Sequence, residues 1–175
     1  VKRNAYLNRL IHNMKTVRSK SSQAFVYAEN PCFGLIVLRA PSLAGGPEDH
    51  IIKIELDQRR CYKFRNPITL CEYVENSVRE KKNEEFYLFI DEAQLTTKVV
   101  DRENGGIEVT IYYMLNQLKA YKNLDVYVTG SNSKGLSKDI ATEFRGRATQ
   151  IHVFPLSFEE FYSFVGGDER KAPDT

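Results

Sequence analysis

Residues 86–94 read FYLFIDEAQ, five large apolar residues followed directly by two acids. An uninterrupted apolar run of this length is typical of a parallel strand that is buried on both faces. In open α/β sheets, ligands bind just outside the carboxyl ends of such strands. Asp91 at that point could hold Mg²⁺, and Glu92 beside it could orient or deprotonate an attacking water. A buried strand that simply ends in a solvated acidic turn is the alternative, so the flanking sequence has to decide.

The composition indicates one soluble globular domain and excludes several classes of protein. The chain has 175 residues, of which 42% are hydrophobic and 27% charged, and its net charge is +2, too small to imply a nucleic-acid or membrane partner. No apolar run approaches the roughly 18 residues of a membrane span, and no signal-peptide core follows the N-terminus. Three cysteines without a CxxC pair and three scattered histidines indicate no disulfide framework, zinc site or Ser-His-Asp triad. The expected location is the cytoplasm.

Hydrophobic periodicity predicts strands and helices in alternation around this central stretch. The strands are expected at 50–56, 86–90, 125–129 and 148–154, with short apolar runs at 24–27 and 34–38. The helices are expected at 4–14, from 67 onwards, at 109–121 and at 136–144. Residues 95–106 are expected to form a long polar connection. The alternation predicts an α/β fold with a doubly wound, mainly parallel sheet and flanking helices.

Two of the predicted helices have specific signals. Asn66 can cap the helix that follows it, with Pro67 at the first helical position. The buried stripe of that helix is expected to be Ile68, Cys71, Val74 and Val78. The later helix should turn four residues inward, namely Ile111, Met114, Leu115 and Leu118.

Residues 58–65 read QRRCYKFR, a basic segment with interleaved aromatics. Such a segment can contact nucleic acid, here through its four cations. These are Arg59, Arg60, Lys63 and Arg65. The more common outcome for such a pattern is a solvated loop.

Polar groups follow three of the predicted strand ends. Asp91 and Glu92 end one strand, and Ser131 and Asn132 follow the next one, where they could hydrogen-bond a phosphate or a water. Arg147 precedes the last strand and could bring a guanidinium to a transferring phosphoryl group. Each signal alone is more often a turn or a surface charge, but their order and spacing together are more specific.

Three segments carry a family resemblance: FYLFIDEAQ, DVYVTGSNSKGLS and EFRGRATQIHVFPLSFEEF. They resemble the prokaryotic AAA-superfamily P-loop ATPases in the branch where a nuclease-like domain of unknown function follows the ATPase domain. The resemblance covers roughly residues 47–175, and weakly residues 1–12. It implies a P-loop NTPase-like fold, ATP and Mg²⁺ as cofactors, a possible homo-oligomer, and ATP-driven change in an attached domain.

The resemblance also assigns roles to residues. It implies that Asp91 is the Walker B magnesium residue and Glu92 the catalytic glutamate. Asn132, or Ser131, matches the polar sensor at the end of the neighbouring strand. Arg147 matches the arginine of the family's GR motif, a candidate finger that could act within one chain or across two.

The departure from the family is the phosphate-binding loop. A P-loop ATPase needs GxxxxGK[ST] ahead of its first helix, and no such motif occurs in this sequence. The expected place is near Ala28, Glu29 and Asn30, and there is no lysine between Lys20 and Lys53. Glu29 would put a negative charge where phosphates should lie. Weak or absent ATP binding is therefore expected of this chain, and whether it is an active enzyme stays open.

Two explanations for the departure are considered. Back-translation of this region, read from the third base of each codon, permits a Val-Ile-Thr strand followed by GxxxxGKS, so residues 13–46 could be out of frame. The alternative is ordinary divergence to a non-catalytic pseudo-ATPase that acts as an interaction module. In the fold, the missing strand would lie between the sensor strand and the final strand, where 24–27 or 34–38 could replace it. The expected domain is 1–165, and 166–175 would begin a lid or C-terminal region, so that the chain would be a fragment.

Overall fold

The computed structural model of the chain describes residues 25–28, 47–130 and 149–150. Its strands are β1 (Phe25–Ala28), β2 (Ile51–Glu55), β3 (Phe86–Asp91), β4 (Val99–Asp101), β5 (Ile107–Val109), β6 (Leu124–Thr129) and β7 (Thr149–Gln150). Its α-helices are α1 (Pro67–Val78) and α2 (Ile111–Leu118). Three 3₁₀ helices lie at Glu48–His50, Arg59–Arg65 and Ala93–Leu95.

In the described part of the chain, five strands form one sheet in the order β2-β3-β6-β1-β7, and every recorded pairing in it is parallel. α1 lies between β2 and β3 in sequence, and α2 lies between β3 and β6, so both of these parallel pairs are joined by a crossover that contains a helix. The predicted doubly wound parallel sheet is therefore confirmed. The three predicted strands within 47–130 form within one residue of their expected ends, and Asp91 closes β3.

β1 occupies the position between the sensor strand and the final strand, for which the sequence offered two candidate runs. It lies between β6 and β7, with Phe25 opposite Val126 and Val26 opposite Thr149. The apolar run near 24–27 therefore completes the sheet, as one of the two predicted candidates. The other run, 34–38, lies outside the described residues, as do the predicted helices at 4–14 and 136–144.

One face of the sheet packs against the two α-helices. The buried sheet residues on this face include Ile52, Ile54, Leu88, Ile90, Val126 and Val128, and the buried helix residues include Leu70, Val74, Val78, Met114, Leu115 and Leu118. The opposite face is also buried at Tyr87, Phe89 and Tyr127, and the rings of Phe89 and Tyr127 stack with centroids 4.8 Å apart. All five apolar residues of β3 are buried, which confirms the prediction of a strand covered on both faces.

The cap of α1 is confirmed, whereas its buried stripe was half wrong. Asn66 Oδ1 accepts a hydrogen bond from the Ile68 amide at 2.9 Å, and Pro67 is the first helical residue. The fully buried positions are Pro67, Leu70, Val74 and Val78, while Ile68 and Cys71 are half-buried. The difference arises because Pro67 itself packs inward, and the 3.6-residue period counted from it centres the buried face on Leu70.

α2 buries the four predicted residues Ile111, Met114, Leu115 and Leu118, but it is shorter than predicted. Val109 belongs to β5, and the Thr110 side chain accepts a hydrogen bond from the Tyr113 amide at 3.3 Å. This cap starts the helix after the strand, because the N-cap residue adopts extended backbone angles.

The predicted polar connection at 95–106 contains secondary structure. β4 and the following β5 form an antiparallel pair, with Val99 opposite Val109. In the turn between them, Asp101 Oδ1 accepts hydrogen bonds from the amides of Glu103 and Asn104, and Gly105 and Gly106 adopt positive φ angles. Such angles favour glycine, which lacks the Cβ that would clash.

The basic segment at 58–65 is likewise not a plain loop. Arg59–Arg65 forms a 3₁₀ helix with Cys61 and Phe64 buried. The chain in the described residues contains no helix that is both long and apolar enough to cross a membrane.

Candidate functional site

The carboxyl ends of four parallel strands bring together the residues of the candidate site. Glu55 is opposite Asp91 across β2 and β3, and Thr129 is opposite Ala28 across β6 and β1. Ile90 pairs with Val128, so Asp91 and Thr129 are the next residues along their two strands. Because the strands run parallel, these four residues form a row along one edge of the sheet.

Asp91 is held by two hydrogen bonds to the same oxygen. Its Oδ1 accepts one from the Thr129 hydroxyl and one from the Glu92 amide, the latter at 3.2 Å. Its Oδ2 accepts no hydrogen bond from any residue between 47 and 130, and the side chain is only half-buried. One carboxylate oxygen is thus fixed by the protein while the other remains accessible to a cation or water.

Glu92 has a left-handed backbone conformation, with φ 55° and ψ 46°. In the described segments it is the one non-glycine residue with a positive φ. Its carbonyl accepts a hydrogen bond from the Leu95 amide at 2.9 Å, and its carboxylate accepts one from Gln94 Nε2. Left-handed angles at a residue with a Cβ cost free energy, and such strain is concentrated at functional sites.

Glu55, the neighbour of Asp91 in the row, is neutralised by two cations. Lys53 Nζ lies 2.6 Å from one of its oxygens, and Arg60 lies 2.7 Å from the other. The hydrogen bond with Lys53, and then that with Arg60, hold the pKa of Glu55 below its usual range. Both Glu55 oxygens are therefore engaged, which leaves Asp91 as the carboxylate of the row that could bind a metal.

The described residues fit one half of a magnesium–nucleotide site. Mg²⁺ is commonly bound by one or two carboxylates together with water and substrate phosphates, and Asp91 Oδ2 suits that role. No cluster of three metal-ligating side chains occurs in residues 47–130. On the phosphate side, β1 ends at Ala28, and the sequence after it contains no GxxxxGK[ST]. The site therefore offers a candidate cation ligand without a recognisable phosphate-binding loop.

The remaining predicted site residues lie outside the described residues. Ser131 and Asn132 follow the end of β6 by two and three positions in sequence, and Arg147 precedes β7 by two. Glu29 and Asn30, which follow β1 directly, also lie outside the described residues. Their roles stay predictions.

Sequence reasoning missed two features of the site. Thr129 was assigned only to the end of the strand expected at 125–129, although a threonine that closes an apolar strand beside an acidic strand end is a usable signal. The ion pairs of Glu55 were also missed. Their signal is the alternation of Lys53 and Glu55 on one face of a strand, followed by a run of arginines.

This geometry defines the class of protein. The mainly parallel sheet with flanking helices is that of a nucleotide-binding, ATPase-like AAA+ fold. Residues 36–162 match the family described as AAA domain (AAA_14), which is well over half of the chain. The chain belongs to this family.

Two curated relatives match parts of the chain. An uncharacterized protein of Haemophilus influenzae is 30% identical over 88 residues, covering 43% of this chain and 22% of that protein. Uncharacterized protein MJ1544 of Methanocaldococcus jannaschii is 43% identical over 51 residues, covering 29% of this chain and 12% of that protein. The chain thus spans less than a quarter of the length of these relatives.

Solved structures of AAA+ proteins share the fold. The structure of C. elegans PCH-2 is similar with a TM-score of 0.62 at 10% identity, covering 91% of this chain and 46% of that one. A chain in the structure of Drosophila ORC bound to DNA has a TM-score of 0.52 at 9% identity, covering 88% of this chain and 96% of that one. At these identities the likeness supports the fold alone.

Proposed function

We propose that this chain is an AAA-type ATPase domain in which Asp91 is the Walker B magnesium ligand and Glu92 the residue that activates water. The function class is ATP binding and hydrolysis by Mg²⁺-assisted attack of water on the γ-phosphate. Ser131 or Asn132 would sense the γ-phosphate, and Arg147 would supply a finger. Membership in the AAA domain family supports this assignment.

One observation carries the proposal. Asp91 Oδ1 is fixed by Thr129 and by the Glu92 amide at the carboxyl edge of a parallel sheet, while Oδ2 accepts no hydrogen bond from the described residues. A carboxylate that only ended a strand in a solvated turn would need no such orientation. The left-handed conformation of Glu92 is a second, independent sign of function, because strained non-glycine residues concentrate at functional sites.

The affinity of this chain for nucleotide is expected to be low. Without GxxxxGK[ST], neither loop amides nor a lysine would cradle the phosphates. Titration calorimetry with Mg-ATP should therefore give weak binding or none. Micromolar affinity would contradict the expectation.

The cause of the missing loop has its own test. We propose that residues 13–46 are translated out of frame within a domain that extends over 1–165, and the nucleotide sequence across codons 12 to 48 decides this. If the shifted frame spells GxxxxGKS, the chain is a damaged copy of a working ATPase. Any other sequence means that the loop was lost by substitution.

The alternative function is a non-catalytic interaction module on a degenerate ATPase fold. It is favoured by β1, which pairs with both β6 and β7 although no phosphate-binding loop follows it. A sheet that is complete without a nucleotide can present a surface to a partner. In this alternative the chain has the ATPase fold but does not hydrolyse ATP.

Restoring the loop discriminates between the two functions. A variant with GxxxxGKS inserted directly after Ala28 should hydrolyse ATP if Asp91 and Glu92 are catalytic. Glu92→Gln in that background should then reduce the rate by at least about 100-fold, the contribution of a general base. The matched control is Glu80→Gln, an exposed acid beyond the end of α1, which should change nothing. If the restored variant binds Mg-ATP yet stays inert, the interaction module is the better reading.

A further inference from the structure

The 3₁₀ helix Arg59–Arg65 arranges its side chains in three separate lines. In a 3₁₀ helix, residues three apart lie above one another. Cys61 and Phe64 form the buried line. The two outward lines contain cations and one aromatic ring. They are Arg59-Tyr62-Arg65 and Arg60-Lys63.

Two of the four cations in this helix make a hydrogen bond or an ion pair with other residues of the described chain, and the other two make neither. Arg65 Nε donates to the Leu56 carbonyl at 2.9 Å, and Arg60 pairs with Glu55. By contrast, Arg59 makes no hydrogen bond or ion pair with any residue in 47–130, and Lys63 lies only over the ring of Phe64, 4.9 Å from its centroid. Arg59 and Lys63 therefore keep their donors free for an anion in solution.

An exposed aromatic ring lies between these cations. Tyr62 is 49% exposed, and the Arg65 guanidinium lies 4.1 Å from the centroid of its ring. The guanidinium covers one ring face, and about half of the Tyr62 side chain stays exposed to solvent. On the neighbouring helix, Tyr73 is 44% exposed and its ring lies 4.8 Å from that of Phe64. Rigid exposed rings beside unpaired cations are the parts of a stacking platform for bases.

We propose that Arg59, Tyr62, Lys63 and Arg65, here called the 59–65 surface, bind single-stranded nucleic acid. Arg59 and Lys63 contact backbone phosphates, and a base stacks on the free face of Tyr62. A single strand fits better than a duplex, because bases in a duplex are already stacked and do not expose a face. A membrane surface fits less well, since the exposed positions of this helix include no aliphatic side chain that could enter lipid. The proposal does not depend on ATP hydrolysis.

Fluorescence anisotropy with a labelled oligothymidylate of about 20 nucleotides tests the proposal. At about 50 mM salt the chain should bind, and log K should fall with log salt with a slope of about −1.4, as two phosphate contacts on a single strand predict. An unlabelled duplex of the same length should compete at least about tenfold less well. Absence of binding at low salt, or stronger competition by the duplex, would overturn the proposal.

Matched variants separate the 59–65 surface from general charge. The double variant Arg59→Glu and Lys63→Glu should weaken binding at least about tenfold. Lys82→Glu with Lys122→Glu makes the same change of net charge at two exposed lysines elsewhere, and it should weaken binding less than about twofold. Equal losses in the two double variants would refute a local site.

The aromatic part of the proposal is tested separately. Tyr62→Ala should weaken binding at least about fivefold, while Tyr62→Phe, which keeps the stacking face, should not. Loss in both or in neither would remove stacking from the proposal. Cosedimentation with vesicles that contain about a third phosphatidylserine provides the last arm. Vesicle binding without oligothymidylate binding would reassign the surface to membranes and overturn the proposal.

Discussion

At the scale of single residues, the backbone of Glu92 predicts a gain in stability when the side chain is removed. Its φ of 55° costs about 1–2 kcal/mol for a residue with a Cβ. Glycine adopts this angle freely but loses up to about 1 kcal/mol through the entropy of the unfolded chain. Glu92→Gly should therefore raise the free energy of unfolding by about 0.5–1 kcal/mol, measured by urea denaturation.

Glu103→Gly is the matched control for this prediction. Glu103 is also an exposed turn glutamate, but its φ is not positive, so glycine there relieves no strain and should destabilise slightly. If both variants lose stability equally, Glu92 is not strained. A stabilised Glu92→Gly that loses ATPase activity in the loop-restored background would show that the carboxylate is kept for function at a cost in stability.

A second residue, Glu55, should make stability depend on acid. Its pKa is lowered by Lys53 and Arg60, so its contribution is fully present above its ordinary value of 4.5 and is lost as the pH falls through the lowered pKa. Glu55→Gln should destabilise the protein by about 0.5–1 kcal/mol at pH 7, since both partners are partly solvated.

Thermal unfolding across the acidic range gives the measurement for Glu55. The difference between the two proteins should shrink below pH 4.5 and vanish once Glu55 is protonated in the folded state. Glu80→Gln, at an exposed site, should unfold at the same temperature as the parent protein at every pH. A Glu55→Gln deficit that stays constant with pH would mean that the side chain contributes packing rather than charge.

At the scale of elements, the junction between the basic 3₁₀ helix and α1 depends on Asn66. Its Oδ1 accepts from the Ile68 amide at 2.9 Å and from the Thr69 amide at 3.5 Å. Asn66→Ala should lower the free energy of unfolding by about 1 kcal/mol, because two amides of the first turn lose their partner. Asn66→Asp, which keeps the accepting oxygen, should lose much less. An Asn66→Ala variant as stable as the parent would show that water replaces the cap.

The elements also show where sequence reasoning works. β3 was predictable because five consecutive apolar residues leave little choice except burial on both faces. β4 and β5 were not, because three-residue strands are too short to display an alternating pattern. The 3₁₀ helix Arg59–Arg65 was missed for a related reason. Its buried residues, Cys61 and Phe64, are separated by three positions in a segment whose composition is otherwise basic.

At the scale of the whole molecule, the candidate site was only partly predictable. That Asp91 ends a strand can be read from local sequence, and the carboxyl edge follows from the parallel topology. That Thr129 donates to Asp91 depends on the register between β3 and β6, which are 38 residues apart at this contact. The register between two strands cannot be read from the sequence of either strand alone. The hydrophobic pattern constrains it only once it is known which two strands pair.

Whether the chain folds stably in the absence of nucleotide depends on β1. Val26 pairs with Tyr127 on one side and Thr149 on the other, so its strand is internal to the sheet. Val26→Pro removes an amide from that ladder and should cost at least about 2 kcal/mol, a fall of about 4–8 °C in Tm. It also leaves unpaired strand edges, which promote association, so size-exclusion chromatography should detect oligomers.

Val26→Thr keeps the amide and the β-branched shape, so it separates the effect of the backbone from that of the side chain. It should remain monodisperse and unfold close to the parent temperature. If Val26→Pro behaves like Val26→Thr, residues 25–28 do not contribute a central strand, and the sheet would end at β6. If only the proline variant fails, the apolar run supports the fold by itself. The absence of GxxxxGK[ST] from the sequence then affects the chemistry of the chain and not its architecture.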